Sequence, residues 1–599
     1  MARQCNTAQC FWKPLVSRRP AEARPAQPRY PEAATLSGVV SVKRRNMMLW
    51  LALLTALGAA LRIATAYHGG ISADESFLFL VISSPSLSGM IDFLRLHESH
   101  PPLFYIVMRA WRIATGGNDQ IMLVLPLAIG ISLIPAIYMI GRSVVSARAG
   151  MIAAGLVAIS PPMIEYSGQL RPYGLLPLLT LLSCHALAIS LHGGTWKRWM
   201  SYSVVTLLLL YTHHWAWLVL LSQIAAVLLI IPALPTRERR QVVARSMLAL
   251  TVILIGYLPW LATLFFQADN AGHAPLIVEN AGQFIVLVLY VISRAITMLF
   301  LGTAPGGMLS LAVTLAVAAM AAFTIAQHLR RRHSESGDYP LTARSISVRV
   351  FSTVVLASIA LATLLSARSN LLLARCLAML TPLALLVISH WADTQTITSR
   401  PIGFRARSAL ASFGVLIVAF ILSDTSLLQT TRSNAKAVAS RVERSVRPGD
   451  LLIVAPEWYA ASFNHYFAPS IEQVDFPYGG RSGLIDFANV WSRVSDPAAL
   501  SLVLDRIAEA RSQGRRVWLI SARQYLRELD EREEANLEAF RVPALMSVRR
   551  VGQIEHALRS TYGKPDTSHF VGGVRARYDE LLPYLYSPPD IGGSSAPTH

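Results

Sequence analysis

Long apolar runs separated by short polar turns fill the chain from residue 46 to about 425, and beyond that the pattern breaks into short mixed segments. A bilayer core takes about 20 apolar residues per helix. By that criterion spans are predicted near 46–66, 119–141, 150–166, 172–191, 199–213, 214–233, 246–266, 307–327, 350–366, 376–391 and 408–424, eleven in all. Ser76–Arg95 and Pro101–Thr115 are apolar on one side only, with Asp92, Arg95, Arg109 and Arg112 interspersed. They predict helices lying along the outer membrane surface between the first and second spans. The segment 281–302 carries Arg294 and follows a loop with Asp269 and Glu279 but no Lys or Arg, and is read as another interfacial helix on the same side.

After residue 425 the periods change. Arg432–Val446 has the spacing of an amphipathic helix, Leu451–Ala455 and Arg515–Ser521 that of short buried strands, and 497–513 and 522–540 that of helices. The expected architecture is an all-α polytopic membrane protein of about eleven transmembrane helices plus outer surface helices, carrying a small C-terminal α/β extracytoplasmic domain. Its parts are a disordered basic cytoplasmic tail (1–45), rich in Pro, Ala and Arg, a transmembrane domain (46–425), the α/β domain (426–585) and a flexible tail (586–599). The first span lacks a cleavage-like A-x-A after it and is expected to remain as an anchor.

Composition agrees with this reading. Of 599 residues 53% are hydrophobic and only 15% charged, against about 25% in soluble domains, and the mean hydropathy is +0.43. The formal charge of +19 would suggest nucleic acid in a soluble protein. Here it is the cation excess of cytoplasmic loops, and no nucleic-acid partner is expected. Cys5, Cys10, Cys184 and Cys376 have neither metal nor redox spacing. Placing Lys43–Arg45, Arg142, Arg148, Lys197, Arg198, the Arg237–Arg245 cluster and Arg330–Arg332 inside fixes the orientation, with the N-terminus cytoplasmic and everything after about 425 outside a plasma (inner) membrane.

That orientation gathers the ionisable residues at one surface. Asp74 and Glu75 follow the first span, His100 precedes two prolines, and Glu165, Tyr166, Gln169, Arg171 and Tyr173 join the third and fourth spans. His213 and His214 mark the turn between the fifth and sixth, while Arg368, Asn370 and Arg375 end the outer side of the tenth. Each has a bland reading taken singly. Paired acids cap helices, His-Pro-Pro starts one, arginines snorkel, and histidines beside Trp215 and Trp217 anchor at the interface. Five segments delivering such groups to one face make a site, since ionisable groups at membrane depth are expensive and usually functional.

The order Asp-Glu, HPPLFY, SPPMIEYSGQLRPYGL, LLLYTHHWAW, ARCLAMLTPL resembles the GT-C fold integral-membrane glycosyltransferases. Within them it is most similar to the branch of the protein O-mannosyltransferases, the lipid A aminoarabinose transferase and the rhizobial galacturonosyltransferases. The resemblance runs in order from 46 to about 425. It implies an inverting transfer of a sugar, hexose or pentose, from a polyprenyl-phosphate donor to an extracytoplasmic acceptor, a cell-envelope lipid, glycan or protein. By the same resemblance Asp74 is the catalytic carboxylate with Glu75 beside it, and His100, Arg171, Tyr173, His213, His214 and Arg375 bind donor phosphate or substrate. Cys376 stands where relatives often have Tyr.

The chemistry of these residue types fits. An inverting transfer needs one base, and Asp74 at a low-dielectric interface is expected to have a modestly raised pKa. A phosphate leaving group needs cations rather than an acid, which Arg171, Arg375 and His100 would supply. No cofactor is required on this reading, although Asp74-Glu75 offers carboxylates to Mg²⁺ or Mn²⁺. Three rivals remain open: a transporter or flippase, supported only by His185 within the fourth span; an O-antigen-ligase-like glycan transferase; and a non-catalytic scaffold.

Overall fold

The computed structural model describes residues 33–269, 281–302, 307–320, 342–368, 374–398, 404–468, 470–481, 490–531, 533–534, 537, 543–570 and 576–588. The chain divides into two units, Met1–Trp50 and Leu51–His599, and the site and both sheets belong to the second. The first helix begins at Ala33, inside the stretch expected to be an unstructured tail.

Among the described residues seven helices are long and apolar enough to cross a membrane: Arg45–Tyr67, Asp119–Val144, Ala216–Ala233, Thr236–Ala268, Ala343–Ser366, Ala374–Thr394 and Leu410–Gln429. This is a multi-pass membrane protein. Each coincides with a predicted span. The prediction over 150–166 is instead a broken element, Ala147–Ala158 and Pro161–Ser167, bent by 60°. The break follows from Ser160-Pro161-Pro162. A residue before proline is driven out of the helical region, and Ser160 sits at ψ 120°. Leu175–Leu191 and Trp196–Leu210 are shorter helices of 17 and 15 residues, and Met308–Met320 is the described part of the prediction over 307–327. The segment read as interfacial forms the helix Ala281–Leu301.

Between the first two spans there are three short helices rather than two: Ala73–Ile82, Leu87–His97 and Leu103–Thr115. The prediction of one helix over Ser76–Arg95 fails at Ser83-Ser84-Pro85-Ser86, where Ser86 starts a new helix by accepting a hydrogen bond from the Gly89 N–H at 3.0 Å.

The C-terminal part contains a four-stranded sheet in the order β3-β2-β4-β6. Its strands are β2 (Leu451–Val454), β3 (Glu472–Asp475), β4 (Val517–Ala522) and β6 (Leu581–Tyr586), with β6 antiparallel to β4 and the others parallel. Leu452, Val454, Trp518 and Ile520 face the helices Ala435–Ser445 and Trp458–Tyr466. Leu451, Ile453, Val517 and Leu519 face Pro497–Ser512 and Pro543–Tyr562. Strands covered on both faces read as unbroken apolar runs, which is why β2 and β4 are visible in the sequence. The helix expected over 522–540 is replaced at its start by a 3₁₀ turn, Arg523–Tyr525, and irregular chain to Asp530. A separate parallel pair joins β1 (Thr431–Ser433) to β5 (Ala576–Asp579).

Candidate active site

Asp74 and Glu75 occupy the first turn of Ala73–Ile82. Ser72 and Glu75 form a capping box: the Ser72 N–H and hydroxyl both donate to Glu75 Oε2, at 3.0 and 2.8 Å. Glu75 Oε1 in turn accepts from the Leu170 N–H at 3.0 Å and from Arg432 Nη1 at 2.6 Å. The Glu75 side chain is 1% exposed and both its oxygens are engaged. Asp74, one residue earlier on the helix, turns the other way. Its side chain is 49% exposed and forms an ion pair with Arg375, itself 35% exposed.

Two neighbouring carboxylates therefore have unlike environments. Partial desolvation within the site pushes the Asp74 carboxyl up, but Arg375 and Arg171, helped by His100, outweigh it and hold the pKa below the ordinary aspartate value. The modest rise expected from an interfacial position does not occur, because the guanidinium groups arrive with the fold. Arg375 also lies over the Tyr173 ring, 5.6 Å from its centre.

Behind this pair stands a buried network centred on Glu98, a residue that sequence reasoning passed over. Glu98 caps the C-terminus of Leu87–His97 and is 1% exposed. It accepts from Arg171 Nη1 at 2.9 Å and Nη2 at 3.3 Å, from the Ser99 N–H at 2.8 Å, and from His100 Nδ1 at 2.7 Å. Arg171 also donates to the Tyr105 hydroxyl at 3.1 Å. Burial would raise the Glu98 pKa, yet Arg171 and His100 hold it well below the usual carboxylate range. An ionised carboxylate only accepts, so the proton on His100 belongs on Nδ1. That leaves Nε2 facing the Tyr173 hydroxyl at 3.4 Å. Burial and Arg171 lower the His100 pKa against the pull of Glu98. Burial and Arg171 thus disfavour the imidazolium form, and Glu98 favours it.

His213 packs edge-on against His100, with ring centres 4.7 Å apart, and 5.9 Å from Tyr173. Its Nδ1 accepts from the Trp215 N–H at 3.1 Å. Burial and then His100 carry its pKa well below the usual value. His214 turns away, its Nε2 2.7 Å from Gln267 Oε1, while Gln267 Nε2 donates to the Leu94 carbonyl at 3.0 Å. Burial, opposed by the Gln267 hydrogen bond, brings His214 down to about 4.

The fold thus brings Asp74, His100, Arg171, Tyr173, His213 and Arg375 into one cluster, with Glu75 and His214 at its margins. Asn370 lies outside the described residues. Two donors, Arg171 Nε and the hydroxyl of Tyr166, whose ring centre lies 5.9 Å from that of Tyr173, are buried without a hydrogen-bond partner among the described residues. Unpaired buried donors are costly and mark places a ligand would satisfy. Glu165 and Gln169 face β5 instead: the Tyr578 hydroxyl donates to Glu165, and Gln169 Nε2 donates to Tyr578 at 3.0 Å.

Among the described residues no group of three or more His, Cys, Asp or Glu is arranged to hold a metal ion, and Glu75 gives its oxygens to Ser72, Leu170 and Arg432 rather than to a site shared with Asp74. His185 lines a separate cavity of about 280 Å³ with Ser143, His192, Arg198 and Ser347, none of them in the cluster.

No family model and no curated protein matches the sequence. Among solved structures the chain is similar to the Archaeoglobus fulgidus oligosaccharyltransferase in its apo form, at 14% identity and a TM-score of 0.49 over 84% of this chain and 72% of that one. It is similar to ArnT from Cupriavidus metallidurans bound to undecaprenyl phosphate, at 11% identity and a TM-score of 0.48 over 79% and 93%. It is also similar to the arabinosyltransferase EmbB from Mycobacterium smegmatis, at 13% identity and a TM-score of 0.32 over 91% and 43%.

Proposed function

We propose that this protein is an inverting glycosyltransferase that moves a sugar from a polyprenyl-phosphate donor to an acceptor hydroxyl outside the cytoplasm of a bacterial plasma membrane. The observation that carries the reading is the open ion pair between Asp74 and Arg375, set against the buried Glu98–His100–Arg171 network. A base and a phosphate-binding cation stand side by side, and both are accessible.

In this reading the acceptor oxygen forms its bond to the anomeric carbon while its proton passes to the Asp74 carboxylate. The bond from the anomeric carbon to the phosphate oxygen breaks, and its electron pair leaves with polyprenyl phosphate. Arg375 takes the charge on that phosphate, exchanging one anion for another. The exchange links the two halves of the reaction. When the guanidinium turns to the phosphate it releases Asp74, which then becomes the stronger base. Arg171 keeps Glu98 as its counter-charge and offers only its free Nε, and Tyr166 offers its hydroxyl. Tyr173 and His213 form the wall behind the sugar. Glu75 acts through the start of the Ala73–Ile82 helix, holding Asp74 in place rather than touching substrate. The lipid tail would lie among the membrane helices, which accounts for a sugar enzyme built inside a bilayer.

Mass spectrometry of envelope lipids and glycans tests this in a strain making Asp74→Asn at normal protein level. The expected result is the same missing glycoform as in a deletion strain. An unchanged glycan profile in the point mutant, with a changed one in the deletion, would leave a scaffold rather than an enzyme.

A further inference from the structure

The loop that leads into the Asp74 helix is not held by the membrane helices alone. Gly69 has φ +107°, and a Cβ there would lie 2.7 Å from Thr431 Cβ, so the chain passes β1 at a distance only glycine permits. The Gly70 N–H donates to the Ser433 carbonyl at 3.1 Å, and the Ile71 N–H donates to the Tyr466 hydroxyl at 2.8 Å. Ala73 packs into the core formed with Val438 and Phe463 of the C-terminal domain. Arg432, the 2% exposed central residue of β1, reaches to Glu75, to the Ala66 carbonyl at 2.7 Å and to the Gly168 carbonyl. One guanidinium thereby joins the end of the first span, the helix start beside Asp74, and the turn that leads to Arg171.

β5 makes the matching contact on the other loop, where Tyr578 exchanges hydrogen bonds with Glu165 and Gln169, the latter two residues before Arg171. Because β1 and β5 pair with each other, the two sets of contacts belong to one two-stranded sheet. We propose that the β1–β5 sheet positions the reacting groups, with Arg432 and Tyr578 as positioning residues that set the separation of Asp74 from Arg171 and Arg375. The proposal rests on Asp74 being the base. It gives the C-terminal domain a part in turnover that is independent of acceptor choice. A buried Glu–Arg pair with satisfied oxygens suits this work, since it has a single low-energy geometry, whereas Lys supplies only a point charge.

The test uses the full-length protein in detergent or nanodiscs and compares Arg432→Gln, Arg432→Lys, Glu75→Gln, the Arg432→Gln/Glu75→Gln double variant and Tyr466→Phe. The expected result is a fall in kcat on the order of tenfold for Arg432→Gln, with KM for the lipid donor held within about twofold, and partial recovery in Arg432→Lys. The double variant is expected to be no worse than the poorer single one, because it leaves neither charge of the buried pair without its partner. Hydrogen exchange at residues 69–76 is expected to rise in Arg432→Gln and, to a smaller degree, in Tyr466→Phe, which removes only the hydroxyl above Ile71. Should Arg432→Gln fail to fold, exchange and kcat in Tyr466→Phe decide the matter. Unchanged exchange at 69–76, or strictly additive losses in the cycle, would overturn the positioning role. If Asp74→Asn turns over normally while exchange at 69–76 still rises, the assignment of the base fails and the mechanical link stands.

Discussion

Two arginine–carboxylate pairs lie within one cluster and differ in almost every physical respect. Asp74–Arg375 is open, at 49% and 35% exposure, and each partner has one main contact with the other. Glu98–Arg171 is sealed, at 1% and 6%, and is fastened further by His100, Ser99 and Tyr105. An exposed pair is worth about 0–1 kcal/mol and exchanges partners readily. Breaking a buried one by removing a partner leaves an uncompensated charge and is destabilising by roughly 3–5 kcal/mol. The open pair is therefore suited to chemistry and the sealed pair to architecture, although both look the same in a motif.

Substitutions separate them. Asp74→Asn is expected to lower the transfer rate by the full contribution of a general base, on the order of 10²–10⁴-fold, with a normal melting profile; a loss confined to stability would exchange the roles of the two pairs. Glu98→Ala is expected to do the reverse in kind. It strands Arg171 and is predicted to destabilise the protein by about 3–5 kcal/mol, read as a lowered Tm and reduced membrane yield. Arg375→Ala, a smaller effect, is expected to weaken use of the lipid donor by on the order of 10²-fold in kcat/KM while leaving the fold intact, since the pair it breaks is exposed. Equal donor kinetics in that variant would remove Arg375 from phosphate binding.

The asymmetry also explains what the sequence could reveal. The convergence of Asp74, Arg171 and Arg375 was legible, because hydropathy fixes which helix ends share a surface and ionisable groups avoid hydrocarbon. Glu98 was not seen although it stands two residues before His100. The signal that would have found it is electrostatic: a buried Arg171 demands a counter-charge, and Glu98 lies among the residues flanking the HPPLFY segment. Arg432 was hidden because it opens a segment with surface-helix periodicity, and nothing local reports that its side chain reaches Glu75, Ala66 and Gly168, far away in the chain. The same holds for the sheet. β2 and β4 read as apolar runs, whereas β3 is polar at Glu472, Gln473 and Asp475, and β6 contains Pro583, which argues against a central strand. β6 is in fact an edge, so the proline is tolerated.

The electrostatic setting of Asp74 gives the most direct test. Asp74 acts as a base only when ionised, so activity is lost as pH falls through its pKa in the folded protein. Partial desolvation raises that pKa and Arg375 is the foremost group lowering it. The measurement is the acid limb of kcat/KM against pH for the wild type and for Arg375→Gln, with the polyprenyl-phosphate sugar as donor. The account predicts a wild-type limb below the ordinary aspartate range and a limb displaced to higher pH in Arg375→Gln. An acid limb at the same pH in both proteins would contradict it.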